Sequence, residues 1–130
     1  VPLREELEFI GHFIFLLETR FGKGVDVKID VSEESKSLGI VPVTLQILLE
    51  NCIKHNAIDP DAPLQIRVTA EEKSLRVSNS IHHKIQAMES NGKGLEDLKK
   101  LYSFLSNQPV QVLSSESKFS VIIPLIPNLS

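Results

Sequence analysis

The order of periodic segments along this chain predicts an α+β fold, a two-layer α/β sandwich with a mixed, mainly antiparallel sheet and helices on one face. Three observations carry that prediction. Several stretches repeat apolar residues every three or four positions, others alternate apolar and polar residues, and the two kinds follow one another as α-β-α-β-β-α-β-β.

The first helix is expected from Leu3 to Arg20, where Leu3, Leu7, Ile10, Ile14 and Leu17 recur at helical spacing and Arg4, Glu5, Glu6 and Glu8 fill the other side. Pro2 suits a helix start, and Gly22 and Gly24 end the pattern. Phe9, Phe13, Phe15 and Leu16 make this helix apolar on more than one stripe, so it is expected to pack on two surfaces, one of them outside this chain. Val25 to Val31 alternates strictly and reads as a half-buried strand. A polar turn follows from Ser32 to Ser37, and Pro42 to Ala57 reads as the second helix, with Leu45, Leu48, Leu49, Cys52 and Ile53 on its apolar stripe. After the loop residues Asp59-Pro60-Asp61-Ala62-Pro63, strands are expected at Leu64–Ala70 and Ser74–Asn79. Ser80 to Asn91 reads as loop. Gly94 to Leu105 reads as the third helix, with Leu95, Leu98, Leu101, Tyr102 and Leu105 inward, and Pro109–Leu113 with Phe119–Ile123 as a closing hairpin.

The 130 residues fit one domain over 1–130, and 42% hydrophobic with 24% charged residues is too apolar for a disordered chain. One cysteine excludes an internal disulfide and argues against a structural zinc site. With 14 basic and 17 acidic residues, net charge −3, the chain is not expected to have nucleic acid or a membrane surface as a direct partner. No apolar run of about 18 residues is present to span a bilayer. Val1-Pro2-Leu3 is neither an initiator Met nor a signal-peptide start, and the chain is expected to be a piece of a longer protein.

On a helical wheel of the second helix, the apolar stripe centres on Leu45, Leu49 and Cys52, with Asn51 and Lys54 opposite and Glu50 and His55 on the flanks. A helix lying on a sheet puts such residues in water. The alternative is an Asn amide oxygen and a Lys facing a phosphate and its Mg²⁺, an ion that takes few protein oxygens when phosphates supply others. Asn91-Gly92-Lys93-Gly94-Leu95 opens the third helix, either as a ligand-free junction or as an anion site built on free N–H groups and close backbone approach. Its spacing matches neither Gly-x4-Gly-Lys-Ser/Thr nor Gly-x-Gly-x-x-Gly. Cys52 and Tyr102 read as core residues, and the adjacent His82 and His83 as solvated loop residues.

Taken in order, the segments Val-Pro-Leu-Arg-Glu-Glu-Leu-Glu-Phe-Ile, Thr-Arg-Phe-Gly, Pro-Val-Thr-Leu-Gln-Ile-Leu-Leu-Glu-Asn-Cys-Ile-Lys-His-Asn and Asn-Gly-Lys-Gly-Leu-Glu-Asp-Leu-Lys-Lys are specific. This run, from Val1 to about Ile126, resembles the C-terminal ATP-binding domain of LytS/YehU-type sensor histidine kinases. The resemblance implies the Bergerat (GHKL) fold, with ATP and Mg²⁺ held between the second and third helices. It implies that Asn51 coordinates Mg²⁺, that Glu50 precedes it as in many members, and that Lys54 and His55 lie near the phosphates and nucleotide. Gly92 and Gly94 match the second glycine box, and Lys93 offers a further phosphate contact. The implied catalytic residues are Asn51, Lys54 and Glu50.

Within Leu75-Arg76-Val77-Ser78-Asn79-Ser80-Ile81, Asn79 stands where the family carries an Asp that accepts from the adenine amino group, and Ile81 stands at the first glycine. Asn79 is still able to accept that N–H, without charge, whereas Ile81 restricts backbone approach. Twelve positions separate Asn79 from Gly92, which leaves a short lid. The implied partners are a dimerisation and phosphoacceptor domain of the same kinase and, through the parent protein, a response regulator. The parent would be an inner-membrane sensor and this chain a cytoplasmic domain. His12-Phe13-Ile14-Phe15 mimics the surroundings of the family's phosphoacceptor histidine, but its register follows the dimerisation region, so His12 is not expected to be phosphorylated. A degenerate module that binds nucleotide or a partner without kinase activity is the alternative, favoured by Ile81 and the short lid. An ATPase using Glu50 as general base is a third reading, opposed by the Val1–Arg20 segment.

Overall fold

The computed structural model describes residues 1–82, 93–127 and 129. Helix α1 runs over Leu3–Phe21. Glu5 and Glu6 occupy its first turn, where negative charge suits the helix dipole, and Gly22, at φ 56°, ends it by donating its N–H to Glu18 O. Leu3, Glu6, Ile10 and Leu17 are buried, whereas Phe9, Phe15 and Leu16 are more than half exposed, so the second apolar surface expected for this helix is present. A single 3₁₀ turn at Gly22–Gly24 leads into strand β1, Val25–Val31.

Residues expected as a polar turn contain a short helix, α2, Glu33–Lys36. Ser32 caps it by accepting from Ser35 N at 3.2 Å, and Lys36 pairs with Glu33 at 2.8 Å; the Ser and charge placement that reads as loop is also good cap chemistry. Helix α3, Thr44–Lys54, is shorter at both ends than the Pro42–Ala57 predicted. Val43 has φ 74°, a left-handed conformation that a β-branched residue rarely adopts, so the helix starts after it. At the other end, Asn56 Nδ2 donates to Cys52 O at 2.8 Å, taking the acceptor that one more helical N–H would need.

Strands β2 (Leu64–Glu71) and β3 (Ser74–Ser80) follow as a hairpin, then helix α4 (Lys93–Leu105) and the hairpin of β4 (Gln111–Ser114) and β5 (Lys118–Pro124). The five strands lie in the order β1-β2-β3-β5-β4; β1 and β2 are parallel and every other pair is antiparallel. The parallel pair β1–β2 is joined by the long crossover through α2 and α3, as parallel neighbours require. Leu64, Ile66, Val68 and Ala70 of β2, Leu75 and Val77 of β3, and Val121 and Ile123 of β5 are buried in one core with Leu45, Leu48, Leu49 and Cys52 of α3. The alternate residues Gln65 and Thr69 are exposed, and Arg67 on that face pairs with Asp26 at 3.1 Å. The period-two pattern thus separates a helix-covered face from an open one.

One expectation for α4 is corrected. Leu98 and Tyr102 are buried, but Leu101 and Leu105 are 40% and 39% exposed and lie outside the core. The buried pair is four residues apart, and the remaining apolar positions fall outside that narrow contact arc.

The start of α3 is held by side chains from two other helices. The buried Glu6 carboxylate of α1 accepts from Val43 N at 3.3 Å and from Leu45 N at 3.2 Å, serving as an N-terminal cap from outside the helix. Tyr102 of α4 accepts at its hydroxyl from Val41 N at 3.1 Å. Thr44 Oγ1 donates to Val41 O at 2.7 Å, so its 2.9 Å contact with Tyr102 has the tyrosine as donor. Burial pushes the Tyr102 pKa up, keeping the hydroxyl protonated for that role.

Candidate functional site

One face of α3 and the end of β3 enclose a cavity of about 390 Å³. Leu48, Asn51, Cys52 and His55 line it from α3 and its C-terminal cap, at the i, i+3, i+4, i+7 spacing of a single helical face. Val77, Asn79 and Ile81 line it from β3 and the residue that follows, Phe119 and Val121 from β5, Leu95 from α4, and Asn56 closes one end. The lining is largely apolar, with three asparagine amides and one imidazole as its polar groups, the composition expected of a small-molecule site.

Asn79 is on the apolar side of the sheet because of register: its strand neighbours are Ile66 on β2 and Phe119 on β5. Its residue is 4% exposed, and its Nδ2 donates to Ser80 O at 2.8 Å. Only the amide nitrogen is able to donate to a carbonyl, so this bond sets the orientation of the amide and leaves Oδ1 as a free acceptor. Asn79 lines the cavity, and among the described residues its Oδ1 makes no hydrogen bond.

Asn51 is half-buried on the cavity wall, and its side chain makes no hydrogen bond among the described residues. The wheel expected Asn51 beside Lys54 and opposite the stripe; instead Asn51 and His55 share the cavity arc, and Glu50 and Lys54 are exposed and do not line the cavity. The physical reason is that the buried arc reaches Leu48, about 60° round the helix from Asn51. Glu50 Oε1 accepts from Gln46 Nε2 at 3.0 Å on the outer surface. His55 caps α3, with its N–H donating to Asn51 O at 3.2 Å.

Lys93 and Gly94 open α4. A Cβ on Gly94 would lie 3.4 Å from Ile47 Cγ2, so the first turn of α4 runs close against α3. Gly92 falls outside the described residues, as does His83. Ile81 lines the cavity as a bulky apolar wall, and its N–H is occupied by Ser117 O at 3.0 Å, so no backbone donor is free there. His82 is half-buried rather than solvated: its Nε2 lies 2.8 Å from Ser80 Oγ, which also accepts from Gln65 N at 2.9 Å. Exposed His12 lies on α1 and does not line the cavity. No group of three His, Cys, Asp or Glu able to hold a metal occurs among the described residues. Nor is any helix among them long and apolar enough to cross a membrane.

Cys52 is buried beside Asn51, and burial pushes its thiol up to about 12 from an ordinary 9.0. The folded state therefore holds its proton longer than the unfolded one, and the stability this confers is present below pH 9 and lost as pH rises toward 12. Urea unfolding is expected to show a steeper fall in stability from pH 8 to pH 10.5 for the parent than for Cys52→Ala; parallel pH profiles would contradict this assignment.

Asn56 was not anticipated. Its only sequence signal is position, an Asn directly after the Lys-His pair at a helix end, where Asn commonly meets loose backbone groups.

No protein-family model matches the chain. It is 27% identical over 97 residues to the sensor protein LytS of Bacillus cereus, covering 75% of this chain and 15% of that protein. It is 34% identical over 77 residues to the sensor protein kinase HptS of Staphylococcus aureus, covering 59% of this chain and 15% of that protein. The chain thus matches a small part of these curated relatives. Among solved structures, the cytoplasmic segment of histidine kinase QseC superposes with a TM-score of 0.65 at 16% identity, over 98% of this chain and 77% of that one. The catalytic domain of histidine kinase ThkA gives 0.63 at 16% identity, over 97% and 96%. The resemblance to LytS-type sensor kinases is supported by these sequence relatives, and the fold is that of histidine kinase catalytic domains.

Proposed function

We propose that the cavity between α3 and β3 binds ATP with Mg²⁺, and that the chain is the catalytic domain of a two-component sensor histidine kinase. It would present the γ-phosphate to a histidine on another segment of the parent protein. The observation that carries the reading is Asn79: an amide with its nitrogen tied to Ser80 O and its oxygen free, on an apolar wall beside Ile66 and Phe119. A flat base with an exocyclic amino group fits that combination, since the ring meets apolar side chains and the amino group meets one fixed acceptor. Asp in this position would carry charge; Asn79 supplies the acceptor without it.

The free amide of Asn51 fits a magnesium ligand: it offers a neutral oxygen at the cavity wall and leaves the remaining positions to phosphate and water. Mg²⁺, when bound, neutralises phosphate charge. The chain's own residues bind and orient. Asn79 sets the base, the first turn of α4 at Gly94 offers backbone N–H groups toward phosphate, and Lys54 and Lys93 supply positive charge by the family resemblance. By the family resemblance Gly92 would approach the phosphates, and His55 would border the nucleotide. Catalysis would be positioning and charge neutralisation, with transfer awaiting an acceptor histidine supplied elsewhere. A general-base role for Glu50 has little to support it, because that carboxylate is exposed and bonded to Gln46.

Asn51→Ala separates the metal role from base binding. Calorimetry with a non-hydrolysable ATP analogue is expected to show Mg²⁺-enhanced binding for the parent, and binding of similar strength with and without Mg²⁺ for the variant. A variant that keeps the full Mg²⁺ enhancement would contradict the assignment of Asn51.

A further inference from the structure

We infer that Asn56 is a positioning residue of the nucleotide cavity, fixing the backbone at His82 to the end of α3 and thereby setting the separation of the two walls. The inference rests on the ATP reading above. Asn56 is 4% exposed, and both ends of its amide are used. Nδ2 donates to Cys52 O at 2.8 Å, and Oδ1 accepts from His82 N at 2.8 Å. Ala57 N donates to His82 O at 2.9 Å, so the N–H and C=O of His82 are both bound to the segment that follows α3.

Asn51, Cys52 and His55 form one cavity wall, while Asn79 and Ile81 form the facing one, and His82 comes directly after Ile81. The strand side of Ile81 is pinned separately, through its N–H to Ser117 O. Asn56 and Ala57 therefore tie the end of α3 by hydrogen bonds to the residue that follows the β3 wall. The span between a base acceptor at Asn79 and a metal ligand at Asn51 depends on how those walls are held. A ligand that must satisfy both at once is sensitive to shifts well under an ångström in reacting or coordinating geometry. Two buried hydrogen bonds to one amide also define a single amide orientation, which a cavity needs if it is to be preformed.

The test uses Asn56→Ser and Asn56→Ala. A serine hydroxyl is able to bond to the carbonyl four residues earlier, so Asn56→Ser keeps a partner for Cys52 O while losing the reach to His82. Binding of an ATP analogue with Mg²⁺ is measured by calorimetry well below the melting temperature, together with hydrogen exchange at the His82 amide. Affinity is expected to fall roughly five- to tenfold in both variants, alongside loss of His82 protection. Asn56→Ser remains decisive if Asn56→Ala does not fold. Unchanged affinity in folded Asn56→Ser would overturn the inference while leaving the ATP reading intact. Weaker affinity with His82 protection retained would overturn it as well, because Asn56 would then act by direct contact. Absence of nucleotide binding by the parent would overturn the ATP reading, and this inference with it.

Discussion

Replacing Asn79 with alanine is expected to weaken ATP-analogue binding by about ten- to a hundredfold with little change in melting temperature. The change removes an acceptor held in a fixed orientation on the cavity wall, leaving the ligand amino group desolvated without a partner. It also frees Ser80 O, which sits at the end of a strand where water is able to replace the lost donor. A site built around a hydrogen bond discriminates strongly against ligands lacking the matching group. The same variant is accordingly expected to lose preference for ATP over GTP, whose six-position carbonyl faces the Asn79 oxygen unfavourably in the parent. Equal affinity of parent and variant for ATP, read by competition with a fluorescent nucleotide, would show that the base binds elsewhere.

The largest stability effect is expected at Glu6, far from the ligand. Glu6→Ala leaves the buried N–H of Leu45 and the part-buried N–H of Val43 without acceptors at the start of α3, where Val43 is already held at φ 74°. Two such donors, one buried and one part-buried, cost roughly 2–4 kcal/mol when unsatisfied, and for a chain of this size that lowers the melting temperature by about 10 °C. Glu6→Gln should fall between, since its amide oxygen replaces one acceptor while its NH₂ opposes the other donor. Thermal unfolding with less than about 2 °C between Glu6→Ala and parent would mean that water or another side chain serves these donors. Because α3 also carries Asn51, this cap ties the register of the site helix to α1.

Much of this was legible in the sequence, and the reasons for the remainder are specific. Strict alternation over Leu64–Ala70 announced a sheet with one covered face, and the order of elements announced helices on that face; Val25–Val31 alternates equally in sequence but forms the sheet's first strand with Ile29 exposed, so its burial does not alternate. What alternation could not convey was that α3 would be trimmed at both ends. The first trim goes with the left-handed Val43, whose N–H is bound by Glu6 of α1, a tertiary contact that no local pattern contains; the second comes from the local bond of Asn56 Nδ2 to Cys52 O, which apolar periodicity does not report. The wheel of α3 set Asn51 opposite the stripe, yet Asn51 lies only about 40° from His55 and about 60° from buried Leu48, so both border the buried arc. The resemblance gave Asn79 as the adenine reader; the structure places it on the cavity lining, with its Nδ2 bound to Ser80 O, a bond the sequence does not convey. Leu101 and Leu105 were expected inward because periodicity reports apolar residues and not which of them find a partner surface. Asn56 was missed for the complementary reason: a buried polar residue acquires meaning only from the groups it meets, and His82 lies 26 positions further along the chain.

Calorimetric titration of the unaltered chain with an ATP analogue in the presence of Mg²⁺ tests most directly whether the preformed cavity, with its neutral amide acceptor, holds ATP. Saturable one-to-one binding, competed by ADP and not by GTP, is the predicted result. Absence of saturable binding at millimolar nucleotide, in a chain shown to be folded by its thermal transition, would contradict it.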